Sequence, residues 1–108
     1  SRVVSWDWCT PLDGVTPDQV IKKHASLSEQ FEGKFNQSAW VVAIPTVGMA
    51  EASGFAHINV YKDFAAYQAD RQFIDGEGGW RVYSDYQTTT ARCSGEAVYL
   101  EEVLNRAN

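Results

Sequence analysis

The sequence predicts an α+β domain in which a four-stranded antiparallel sheet carries helices on one face. Three observations predict it. Four short runs are rich in β-branched and aromatic residues. Two stretches, one after the first run and one after the third, carry apolar residues at helical spacing. The 108 residues hold no repeat, low-complexity tract or long linker, which fits one domain over 1–108.

Arg2 to Cys9 (RVVSWDWC) reads as the first strand, and Leu12-Asp13-Gly14 as a turn. Thr16-Pro17-Asp18-Gln19 is a capping box with proline at the first helical position, opening a helix that runs to about Phe31, with Gly33 as terminator. Ser38 to Ile44 is the second strand, ended by Pro45, and Thr46 to Gly54 is a loop of small residues. Phe55 to Tyr61 (FAHINVY) alternates as a third strand. Asp63 caps a second helix over Phe64 to Asp75, which Gly76-Glu77-Gly78-Gly79 breaks. Trp80 to Tyr86 reads as a further helical turn or two, Ala91 to Val103 as the last strand, and the final four residues as frayed.

The order is β-α-β-β-α-β. With right-handed crossovers it gives a ferredoxin-like sheet of order 4-1-3-2, fully antiparallel, with both helices on one face. Strands 1 and 4 are then antiparallel neighbours, which brings Cys9 at the end of one to Cys93 at the start of the other. Direct opposition places Val3 across from Tyr99, Ser5 from Ala97 and Asp7 from Gly95. The two sulfurs are expected to lie within disulfide reach, the alternative being two separately buried thiols. The compartment stays open between cytoplasm and export; an oxidised pair favours export. No charged segment followed by an apolar one opens the chain, although it begins at Ser1 rather than Met.

A formal net charge of −5 and the absence of any Lys/Arg cluster argue against nucleic acid or an anionic membrane as partner. The longest apolar run, Trp40 to Pro45, is far short of a bilayer span. Two cysteines outside any C-x-x-C pattern, with only His24 and His57 besides, make no closed zinc site. Phosphate loop, dinucleotide fingerprint, H-E-x-x-H and G-x-S-x-G are all missing, so no cofactor is expected.

Trp6, Trp8, Trp40, Val42, Ile44, Tyr61 and Tyr99 are too many large groups for one sheet face, so a face without helices stays apolar. Pairing two such faces about a two-fold axis predicts a homodimer. The element order, with Val60-Tyr61-Lys62-Asp63-Phe64-Ala65-Ala66-Tyr67 passing from third strand to second helix, resembles the dimeric α+β barrel superfamily. Within it, the chain is most similar to small antibiotic-biosynthesis-monooxygenase-like domains. The resemblance implies a two-sheet barrel dimer, a pocket between sheet and helices, and cofactor-independent oxygenase or isomerase chemistry. Many such domains carry a histidine shortly after the helix cap, where this chain has Gln68, Ala69 and Asp70.

Val20, His24, Leu27 and Phe31 share one stripe of the first helix, and Phe64, Tyr67, Arg71 and Ile74 the equivalent stripe of the second. An imidazole and a guanidinium thus point at the sheet. His57, Asn59 and Tyr61 share one face of the third strand and need hydrogen-bond partners there. Trp80, Tyr83 and Tyr86 form an aromatic wall or extra core. These residues predict a cavity for an apolar or amphipathic small molecule, lined by Trp6, Trp8, Tyr61, Tyr67, Trp80 and Asn59. Arg71 and His24 would anchor a carboxylate if the ligand has one. Two alternatives stand beside it: catalysis with His57 or His24 as base, and a dimerisation module without ligand. The bland readings are a core His24 bonded to a carbonyl or tyrosine, and an Arg71 head reaching solvent or Glu96.

Overall fold

A computed structural model describes residues 1–48, 54–76 and 78–107. The elements are β1 (Arg2–Pro11), α1 (Pro17–Gln30), β2 (Ala39–Ala43), β3 (Phe55–Tyr61), α2 (Phe64–Gly76), α3 (Gly79–Thr89) and β4 (Ala91–Glu101). Part of the loop expected over Thr46–Gly54, Glu77 in the glycine break and the final Asn108 lie outside the described residues. No helix among the described residues is long and apolar enough to cross a membrane.

The capping box opens α1 as expected: the Gln19 amide donates to Thr16 Oγ1 at 3.2 Å and the Thr16 amide to Gln19 Oε1 at 2.8 Å. Asp63 caps α2, accepting from the Ala66 amide at 2.9 Å. The stretch after the glycine break is a full helix rather than a turn or two. Gly78, at φ +91°, reverses the chain, and Gly79 packs so closely on α2 that a Cβ there would come within 2.9 Å of the Ile74 backbone. Buried Tyr86 anchors α3 against the core, and the Thr88 and Thr89 hydroxyls bond back to the Ser84 and Asp85 carbonyls. Tertiary burial therefore carries the helix through residues of low helical propensity.

All strands pair antiparallel in the order β2-β3-β1-β4, the expected 4-1-3-2 order in reverse reading direction. This α+β arrangement, with three helices instead of two, is compatible with a ferredoxin-like fold. The helices cover the face that carries Val3, Ser5, Asp7 and Cys9 of β1 and Phe55, His57, Asn59 and Tyr61 of β3. Two apolar clusters hold that layer. One gathers Cys9, Val20, Leu27, Phe55, Tyr86 and Ala91; the other gathers Val3, Tyr61 and Ala66, with Tyr67 against it.

Cys9 and Cys93 are paired in register and joined as a disulfide. The rest of the β1–β4 register differs from expectation. Asp7 faces Glu96, Ser5 faces Val98 and Val3 faces Leu100, one residue on from Gly95, Ala97 and Tyr99. Three β4 residues thus span what two β1 residues span, a β-bulge in which Gly95 takes φ +110°. Beyond the bulge every β4 side chain changes face. Glu96 joins the helix side, and Tyr99 moves to the face without helices.

Candidate functional site

His24 sits at the centre of the larger cluster, because its place on the α1 stripe drives it toward the sheet. The Trp40 indole N–H donates to His24 Nδ1 at 3.1 Å, and His24 Nε2 lies 2.6 Å from the Tyr86 hydroxyl. An indole can only donate, so Nδ1 is unprotonated and the ring proton sits on Nε2, directed at Tyr86. Burial lowers the His24 pKa to about 3, with a smaller push from His57. His24 is therefore a neutral histidine held between a tryptophan and a tyrosine, with Phe55 and His57 edge-on at 5.9 and 4.9 Å between ring centroids.

One strand position away from this hub, a polar row crosses the sheet: Glu96 on β4, Asp7 on β1 and His57 on β3 are successive cross-strand partners. Ser5 and Asn59, also paired, lie beside it on the same face. The row separates the two apolar clusters. Glu96, turned inward by the bulge, is fully engaged: it accepts from Ser5 Oγ at 2.6 Å and from the Tyr67 hydroxyl, and Arg71 stands 3.6 Å away. Asp7 Oδ1 and His57 Nε2 are buried and have no hydrogen-bond partner among the described residues. Burial, then Glu96, raises the Asp7 pKa, and Arg71 partly offsets this. Burial lowers His57 to about 4.

The α2 stripe is rotated from its expected position. Ala66 and Asp70 are the buried residues, and Phe73 continues their line against Phe31 and Phe35. Small Ala66 lets the helix close on Val3 and Tyr61, while Asp70 accepts the Asn36 amide and side chain at 2.8 and 2.9 Å. Phe64 is left exposed, and Tyr67, Arg71 and Ile74 lie on the flank. Arg71 does not point into the layer; its guanidinium reaches Asp75 at 3.3 Å and Glu96. Burial and Glu96 push the Tyr67 phenol up to about 12, and burial with Asp70 pushes Tyr61 up as well.

The aromatic residues expected to line one cavity are divided by the sheet. Trp6 and Trp8 stack at 6.1 Å between centroids on the face opposite His24 and His57, and the Trp8 indole lies directly on Gly54. Trp80 is on the outer side of α3, 54% exposed, with the Arg81 guanidinium 5.1 Å from its ring. His24, His57, Asn59 and Tyr61 do share the helix-covered face. No group of three or more His, Cys, Asp and Glu among the described residues could hold a metal ion.

A cavity of about 320 Å³ opens where β1 turns into α1. Its lining is mostly apolar, with Leu12, Val15, Val20, Ile44 and Phe55 the larger side chains and Asp13 the one charged residue. Its inner wall leads straight to the histidines: Val20 is one helical turn before His24, and Phe55 is two strand residues before His57. Sequence reasoning passed over Leu12, Val15 and Ile44 as turn and strand residues. Only the apolar residues flanking Asp13-Gly14 hinted that this turn is not a solvated one. A second, more open hollow of about 540 Å³ runs along the outer side of α2 at Gln68, Arg71, Gln72 and Asp75.

Chemically, the helix-covered face offers an apolar recess, two neutral imidazoles and two carboxylates, Asp7 and Asp70, each with one oxygen that lacks a hydrogen-bond partner among the described residues. Comparison of the chain with models of known protein families, with curated proteins and with solved structures finds no match.

Proposed function

We propose that this chain is a small-molecule-binding domain, seating the apolar body of an uncharged or amphipathic compound in the recess between the β1–α1 turn, Ile44 and Phe55. The carrying observation is that recess: about 320 Å³, walled mainly by apolar side chains and continuous with the main core. Its size is that of a small-ligand pocket. A carboxylate anchor at Arg71 and His24 has no place in this reading, because Arg71 already faces Glu96 and Asp75, and His24 is neutral.

The test is a titration with the neutral fluorophore N-phenyl-1-naphthylamine. Saturable enhancement is expected, lost in Val15→Trp, which fills the recess at a half-buried turn position. Unsaturable enhancement, or equal binding by a folded Val15→Trp, overturns the reading.

The same proposal includes a second copy of the chain over the bare sheet face, as in the dimeric α+β barrels that the chain resembles. The central positions of that face, Val4, Trp6, Ile58, Val60 on the inner strands and Val41, Ala97, Tyr99 on the outer ones, carry no charge. In a chain with 21% charged residues, such a face is what a two-fold sheet-on-sheet contact requires.

A further inference from the structure

The apolar walls of the recess at the β1–α1 turn do not by themselves set what polar group a ligand can carry into it. Among the described residues that line it, Asp13 alone has a polar side chain, and a carboxylate only accepts hydrogen bonds. None of these lining side chains is a donor or carries a positive charge. Backbone donors are scarce as well. Pro11 and Pro17 have no N–H, and the Leu12 and Val20 amides donate to the Thr90 and Thr16 carbonyls at 2.9 and 3.1 Å.

Asp13 itself is free to meet a ligand. An aspartate in a turn commonly accepts the backbone amide two residues on. Here the Val15 amide donates to the Leu12 carbonyl at 3.0 Å instead. The exposed Asp13 carboxylate has no hydrogen bond or ion pair with any described residue. Arg92, across from Thr10, projects from the other sheet face. The start of α1 is closed to anions too: Pro17 takes its first position, Thr16 holds the Gln19 amide, and Asp18 adds a further negative charge.

We propose that the recess selects cationic amphiphiles, with the apolar body among Val15, Val20, Ile44 and Phe55 and a protonated amino group against Asp13 at the mouth. The proposal rests on the reading of this recess as the binding site and adds its selectivity. An ammonium group supplies both the donors and the compensating charge. A hydroxyl supplies a donor only, and a carboxylate supplies neither and is repelled. Because Asp13 is exposed to water, the preference is modest and weakens with salt, as an exposed ion pair does.

The test is displacement of N-phenyl-1-naphthylamine from the full chain by 4-phenylbutylamine, 4-phenylbutanol and 4-phenylbutyrate at pH 7 and low salt. The amine is expected to bind about two- to fivefold more tightly than the alcohol, and the acid most weakly. Asp13→Asn is expected to cut the amine-to-alcohol ratio by the same factor. Glu29→Gln, which removes an equal charge at the opposite end of α1, is expected to leave it unchanged. On the unaltered chain, rising salt should erase the preference, a readout that does not depend on a variant folding. An amine no tighter than the alcohol, a preference that survives Asp13→Asn or high salt, or one lost equally in Glu29→Gln overturns the selectivity and leaves the recess reading in place. Fluorophore binding that never saturates removes the recess reading and this proposal with it.

Discussion

Trp40 donates its indole proton to Nδ1 of His24, and this one bond fixes the protonation of the most buried histidine in the chain. The remaining ring proton must go to Tyr86, so three residues from β2, α1 and α3 are locked in one donor order. Tyr86→Phe removes the acceptor and strands a buried N–H. It is expected to cost about 1–3 kcal/mol in urea unfolding with an unchanged m value. A neutral effect would mean that the Nε2 proton is satisfied elsewhere.

The two histidines make stability fall in mild acid. Both have folded pKa values below the ordinary 6.5, about 3 for His24 and about 4 for His57. Above pH 6.5 neither state is protonated and the pair has no pH effect. Below it the unfolded chain takes up protons that the folded chain refuses, so stability declines from about pH 6.5 down to pH 3–4. By pH 5 the loss is roughly 2 kcal/mol for each histidine. Urea midpoints at pH 7.5 and 5 check this, and the difference should shrink by about half in His57→Leu.

The Cys9–Cys93 bond closes a loop of 84 residues in sequence separation. Constraint of the unfolded chain by such a loop is worth about 4–5 kcal/mol in the chain-entropy model. Unfolding curves with and without a phosphine reductant should differ by that order. Buried Cys9 should also resist the reductant until the chain unfolds. Coincident curves would show that the bond contributes nothing.

The sheet face without helices, uncharged at its central positions and carrying Arg2, Glu101 and Arg92 only toward its ends, should pair in solution. Sedimentation equilibrium is expected to give twice the chain mass, and Ile58→Lys to give a folded single chain. A wild-type monomer at tens of micromolar would count against the two-fold partner.

Gly95 holds the bulge that turns Glu96 inward. At φ +110° an L side chain is strained although no atom lies within 4 Å of where its Cβ would stand, so Gly95→Ala should cost about 1–2 kcal/mol from backbone conformation alone. An unchanged midpoint would mean that the strand tolerates the bulge without glycine.

That glycine also marks where reading the sequence stops. Strand existence, strand order and the meeting of Cys9 with Cys93 follow from alternation, caps and crossover handedness. The inward His24 follows from its spacing with Val20 and Leu27. A single glycine within β4, however, fits a straight strand as well as a bulged one, and that one-residue choice decides whether Glu96 or Ala97 faces the helices. On α2, counting apolar residues selects Phe64, Tyr67 and Ile74. Close packing on Val3 and Tyr61 instead selects small Ala66, and the Asn36 amide selects Asp70. Both outcomes depend on contacts distant in sequence, which periodicity does not carry.

Methyl-resolved NMR of the chain during titration with N-phenyl-1-naphthylamine tests ligand seating most directly. Progressive, saturating shifts of the Val15, Val20 and Ile44 methyls, with Val41 and Val60 on the far side of the sheet unmoved, are the predicted result. Shifts confined to the bare face, or none at saturation, would contradict it.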